Sequence, residues 1–159
     1  MSAAERVRTL LERKRVSYQL VEHPEALTAR AEAEASAMPA GAWAKSLAVR
    51  LDGTPAVVVL PATRRLDLKE LGELAGAREV ELVAEDELAE LYPDCDVGAL
   101  PPFGGLFGQR TYLDLSLRTH ERVAFHAGNH TQTVVVPYAE FERLAGAEVG
   151  RFSREADDV

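Results

Sequence analysis

Cysteine is nearly absent from this chain of 159 residues: Cys95 is the only one. A lone thiol excludes an internal disulfide and any cysteine-based zinc cluster. It lies in Tyr92-Pro-Asp-Cys-Asp-Val97, and two flanking carboxylates raise a thiol pKa rather than lower it, which argues against a nucleophile. Long apolar runs are missing as well; none approaches the roughly 18 residues of a membrane span. The first residues, Met1-Ser-Ala-Ala-Glu-Arg6, lack the basic-then-apolar order of a signal peptide. The expectation is a cytoplasmic protein with no membrane partner. Positive charge is in deficit, with a net charge of −8. That speaks against a broad electrostatic grip on nucleic acid, DNA included, but leaves room for local contact with a nucleic-acid end. Arg13-Lys14-Arg15 and Arg64-Arg65 are the only compact basic clusters, and solvated surface is the plain reading of both.

Several chemical signatures are also missing. There is no GxGxxG and no GxxxxGK[ST], so those phosphate cradles have no support. Neither HExxH nor the GxSxG nucleophile elbow occurs. His126 and His130 are four apart, but Ala-Gly-Asn between them reads as a turn, and a two-histidine metal site lacks further ligands. No metal and no cofactor is expected.

What is present is ordinary for one globular domain: 47% hydrophobic and 28% charged residues, with enough length for a sizeable core. Ser2 and Glu5 form a capping-box pattern ahead of Val7, Leu10 and Leu11, so 3–14 reads as an amphipathic helix. Residues 16–22 read as a strand ended by His23-Pro24. Thr28 is a fitting N-cap for an alanine-rich helix over 29–37. Residues 43–60 read as a β-hairpin about Asp52-Gly53. Pro61-Ala-Thr-Arg-Arg65 then breaks the second strand, and Asp67 caps a helix that Gly76 stops. Residues 79–83 and 85–91 read as a short strand and a short helix. Residues 97–108 hold two prolines and four glycines yet are apolar, as in a segment packed against the body to shape a cleft. Residues 111–117 alternate like a strand, with Asp114 on the polar face and so expected in solvent. Strands over 121–126 and 131–136, a helix over 137–144 and a last strand at 149–152 complete the domain, which spans 1–152. Residues 153–159 are expected to be a frayed polar tail. The pattern is α/β of the α+β kind: one domain with a mixed, mostly antiparallel central sheet or a barrel-like sheet, and short covering helices.

Lys45 is the sharpest candidate. It shares strand parity with Leu47, Val49 and Leu51, so an ammonium shares a face with three aliphatic side chains. It either holds a ligand oxygen in a pocket or lays its stem along apolar surface and reaches water. Gly98 opens a Gly-x-x-x-Pro segment closing at Pro102, where a backbone N–H could face a developing oxyanion, or which is simply a turn. Gly128-Asn129-His130 is a turn from which a histidine could reach a cleft, or an ordinary surface turn.

Taken in order, these segments resemble the YbaK/prolyl-tRNA-synthetase editing-domain family of aminoacyl-tRNA deacylases. The resemblance rests on His23-Pro24, Thr28 and the alanine-rich helix; Ala44-Lys45-Ser46-Leu47; the 67–74 helix; Val97-Gly98-Ala99-Leu100-Pro101-Pro102-Phe103-Gly104; the strand at Asp114; Val123 to His130; and the closing helix with Phe141 and Leu144. It implies a mixed sheet around a small pocket and hydrolysis, without a metal, of the ester joining a wrong amino acid to the tRNA 3′ end. Water is the implied nucleophile. Lys45 inherits the role of anchoring substrate, and Gly98 that of presenting backbone to the carbonyl. Substrate binding is extended to Thr28, Ser46, Pro102, Gly128, Asn129 and His130. Between His126 and His130 the register stays open. The implied partners are the aminoacyl-tRNA 3′ end and an aminoacyl-tRNA synthetase. The alternatives are a non-catalytic module that binds aminoacyl-tRNA or a small metabolite, and an enzyme using Lys45 as a Schiff-base nucleophile.

Overall fold

The computed structural model describes residues 2–22, 38–96, 98–129 and 131–156. His23-Pro24, Thr28, the helix expected over 29–37, Val97 and His130 lie outside the described residues. The chain opens with α1 (Ala3–Arg13), where the Ser2 hydroxyl accepts from Glu5 N and Val7 and Leu11 are fully buried. β1 (Gln19–Glu22) follows. β2 (Ala44–Leu51) and β3 (Thr54–Pro61) form the expected hairpin. Its turn residues Asp52 and Gly53 have φ of 50° and 86°, as an Asp-Gly hairpin turn requires. β4 is Arg64–Leu66, and α2 is Leu68–Ala75. The Asp67 carboxylate caps α2 at Glu70 N, and Gly76 ends it at φ 68°. Then come β5 (Val80–Leu82), α3 (Glu85–Leu91), β6 (Arg110–Asp114), β7 (Arg122–His126), β8 (Gln132–Pro137), α4 (Tyr138–Ala145), β9 (Glu148–Gly150) and β10 (Ser153–Glu155).

The strands make a five-stranded sheet in the order β5-β2-β3-β6-β9, a three-stranded sheet β1-β8-β7, and a two-stranded ribbon β10-β4. β2 is antiparallel to both neighbours, while β3-β6 and β6-β9 are parallel. The sheet is therefore mixed and, among the described residues, neither sheet closes into a barrel. The main core lies between the sheets. Ala48, Val57, Val59 and Leu113 meet Val123, Phe125, Val134 and Val136, with α1 and α4 adding Leu11 and Phe141. Phe103 stacks edge-on against Phe125 at 5.1 Å, so the Gly/Pro-rich segment is core rather than a solvent loop. On the other face of the large sheet Val49, Val58, Leu60, Leu71, Tyr112 and Phe152 form a second core.

Three expectations change. Residues 111–117 are not one strand: β6 ends at Asp114, and Leu115–Thr119 is a 3₁₀ turn in which Ser116 N donates to the Asp114 side chain. Asp114 is not solvated. It is 2% exposed, because β6 is flanked on both edges and covered on both faces, as parallel strands are. Its carboxylate accepts from Phe152 N at 3.0 Å, Ser153 Oγ at 2.8 Å, and both N and Oγ of Ser116. Residues 153–155 are not frayed. They pair with β4, which itself stands where only a break was expected.

Candidate active site

The register of β2 defines the site. Ala62 N donates to Trp43 O at 2.8 Å, so the main chain of the odd residues turns toward β3. The even residues turn toward the other edge, and that edge is shared. At one end Trp43 bridges Ala124 of β7 in parallel; at the other β5 pairs with residues 49–51, and Val83 N donates to Ala48 O. Between β7 and β5 the edge forks, and the N–H and C=O of Ser46 turn into the fork. His126 follows Ala124 by two residues on β7, as Lys45 of β2 follows Trp43. His126 is 4% exposed and meets the Trp43 ring edge-on at 5.1 Å.

Lys45 lies on the face of Leu47 and Val49, as parity required, and is partly buried. Its Nζ donates to the Arg64 carbonyl of β4 at 2.8 Å. Burial first, and the nearby Arg65 charge second, hold its pKa below the usual lysine value. An ammonium has three N–H donors, and one is occupied by Arg64 O, so two can meet a ligand oxygen. β4 is held in turn by its partner strand: Arg64 Nε donates to Ser153 Oγ at 2.7 Å, and Ser153 Oγ donates to Asp114. Neither Arg64 nor Asp114 stood among the expected site residues. The only sequence signal for Asp114 was a carboxylate at the end of a strongly apolar strand.

Ser46 points to the opposite face from Lys45, toward the main core, and its hydroxyl is buried with no hydrogen-bond partner among the described residues. The Trp43 indole N–H is likewise buried and unpartnered. Gly98 is exposed with φ 82°, a conformation that favours glycine. It borders a small cavity of about 80 Å³ with Leu88, Tyr92, Cys95, Asp96 and Leu100; Lys45 does not line it. The loop is tied to the end of β7 by Asp96 N donating to Gly128 O at 2.9 Å. Pro102 is buried within the same segment. Gly128 has φ 99°, and a Cβ there would stand 2.5 Å from Ala3 Cβ. Asn129 Oδ1 accepts from Thr131 N and Gln132 N, so that side chain shapes its own turn. The structure thus ties the Gly98 loop to Gly128 and places Lys45 and Ser46 on opposite faces of β2, away from the cavity that Gly98 borders. Thr28 and His130 lie outside the described residues. Cys95 is pushed up to about 11, by burial first and then by Asp94, with Asp96 adding and Arg6 opposing. Among the described residues no three His, Cys, Asp or Glu side chains are grouped to hold a metal ion, and no helix is long and apolar enough to cross a membrane.

This geometry has known relatives. Residues 23–144 match the aminoacyl-tRNA editing domain, and the chain belongs to that family. The multifunctional Ser/Thr-tRNA deacylase ProXp-y of Escherichia coli K12 is 27% identical over 157 residues, covering 96% of this chain and 93% of that one. The prolyl-tRNA editing protein ProX of Acetoanaerobium sticklandii is 26% identical, covering 96% of each. A solved protein proposed as a trans-editing enzyme for prolyl tRNA synthetase superposes with a TM-score of 0.83 at 25% identity, over 97% of this chain and 98% of that one. The expected family, fold and enzyme class, an aminoacyl-tRNA deacylase, agree with these matches.

Proposed function

We propose that the protein hydrolyses the ester of a mischarged aminoacyl-tRNA carrying a small amino acid, with the fork beside β2 as the catalytic pocket. The observation that carries this reading is the situation of Lys45: partly buried at the end of a strand, with one N–H fixed by Arg64 O and two free for a ligand oxygen. An aminoacyl ester is already activated, so positioning its carbonyl, donating to the developing oxyanion and admitting one water suffice. Lys45 anchors the terminal adenosine or the aminoacyl carbonyl. The Gly98 backbone lines the oxyanion position, for which its positive φ and exposure suit it. Water attacks. Ser46, Pro102 and the Gly128–His130 turn, with Thr28, bound the amino-acid side chain, and a small pocket rejects larger ones by steric exclusion. The natural setting is trans-editing in the cytoplasm beside a synthetase.

The test is a deacylation panel of mischarged tRNAs with wild type and Lys45→Ala. We expect hydrolysis of at least one small-amino-acid ester and at least a tenfold loss in the variant, about 1.4 kcal/mol. Absence of hydrolysis above buffer, or an unimpaired variant, overturns the reading. Tight binding of charged tRNA without turnover identifies a binding module instead.

A further inference from the structure

We infer that the β4–β10 ribbon is a contact surface for the phosphates of the tRNA acceptor end, with Arg65 and Arg154 as its two cations. The inference rests on the deacylase reading for the identity of the polyanion. In the ribbon register Arg65 stands directly opposite Arg154. Like charges directly across a strand pair destabilise it, so the fold itself gains nothing from this arrangement. Both side chains are exposed, and among the described residues neither guanidinium is paired with a carboxylate. The Arg64-Arg65 cluster, which read as plain surface in sequence, is divided by strand alternation. Arg64 is committed inward, with its guanidinium on Ser153 and its carbonyl on Lys45 Nζ; Arg65 is left facing out. Glu155, the one acidic residue of the ribbon, pairs opposite Arg64, on the other side of the strand pair from Arg65 and Arg154.

Position adds to charge. The ribbon supplies the carbonyl that holds Lys45, so a chain whose last ester meets Lys45 passes close to Arg65. The Arg65 charge is in fact felt at Lys45, second only to burial. The ribbon is also fixed in place: Ser153 Oγ donates to the buried Asp114, and Asp67 N donates to Phe152 O at 2.7 Å. A protein of net charge −8 repels a polyanion on average, and a rigid basic pair beside the pocket gives it one place to land.

The experiment measures binding of uncharged tRNA against salt concentration for wild type, for Arg65→Gln/Arg154→Gln, and for the exposed control pair Arg8→Gln/Arg13→Gln, which removes the same charge from α1. Each phosphate contact contributes about 0.7 to the log–log salt slope for a single strand. We expect the ribbon variant to lose about 1.4 in slope and roughly tenfold in affinity, with the control near wild type and Arg65→Lys/Arg154→Lys largely restored. Hydrolysis of a short aminoacyl-adenosine ester stays within about twofold of wild type, since that substrate has no acceptor-strand phosphates. An unchanged slope, an equal loss in the control pair, or an equal loss on the short ester overturns the proposal. Wild type that hydrolyses no ester, while the ribbon variant still loses slope, removes the deacylase reading and leaves the surface standing.

Discussion

One N–H of the Lys45 ammonium is held by Arg64 O, while burial and the Arg65 charge both disfavour its proton. Its folded pKa therefore lies below the ordinary 10.5. Between those two values the unfolded chain binds more protons than the folded one, so stability rises with pH through that window, and the charged form costs stability below it. Wild type should gain on Lys45→Met as pH climbs through the window below the ordinary lysine value, read from urea titrations of both. Parallel pH dependences would show a lysine that titrates as if unfolded. Cys95 makes the opposite case, a thiol held at about 11 chiefly by burial. Alkylation by iodoacetamide near pH 8 should be far slower than for a free thiol, and Cys95→Ser should keep deacylation within about twofold of wild type. At this scale the sequence was readable where geometry is local. Parity placed Lys45 among aliphatic residues, and two aspartates marked Cys95 as unreactive. The Arg64 carbonyl was not readable, because a main-chain acceptor carries no residue identity and depends on where β4 runs.

Elements with strong local signals stand where their residues put them. The Ser2 and Asp67 caps and the Gly76 stop satisfy backbone groups within their own helices, and the Asp52-Gly53 turn takes the positive φ its two residues favour. Three-residue strands have no such signal. β4 and β10 are shorter than a legible alternation, and they exist because Asp114 gathers Phe152 and Ser153 beside β6. Asp114 itself was assigned to solvent because alternation presumes one wet face, and β6 has none. The β7–β8 turn is another place where packing decides. Gly128 has φ 99° and no room for a methyl beside Ala3. Gly128→Ala should cost about 2–4 kcal/mol, combining left-handed strain with overpacking, and a urea midpoint would read it. A near-neutral result would mean that α1 shifts freely away from the turn.

The two sheets share one aromatic-centred core, in which Phe125 touches Phe103 and Phe141 from different segments. Phe125→Ala should cost about 3–5 kcal/mol, a large fraction of the stability of a domain this size, and calorimetry should show one transition for both sheets. Two resolved transitions would mean that the sheets fold as separate units. The layered α+β class was legible from hairpins and short helices. The parallel β3-β6-β9 edge was not, since nothing in a short apolar run says which neighbour it will take.

The fork beside β2 has a bearing on how the molecule behaves in a crowd. A sheet edge with bare N–H and C=O groups invites another chain to pair with it. Here the open length is the few residues between the Ala124 bridge and the Ala48–Val83 bond, closed at both ends by the protein's own strands. A foreign strand cannot lie down in so short a berth. At this stretch of β2 the protein's own strands stand where a foreign one would have to start.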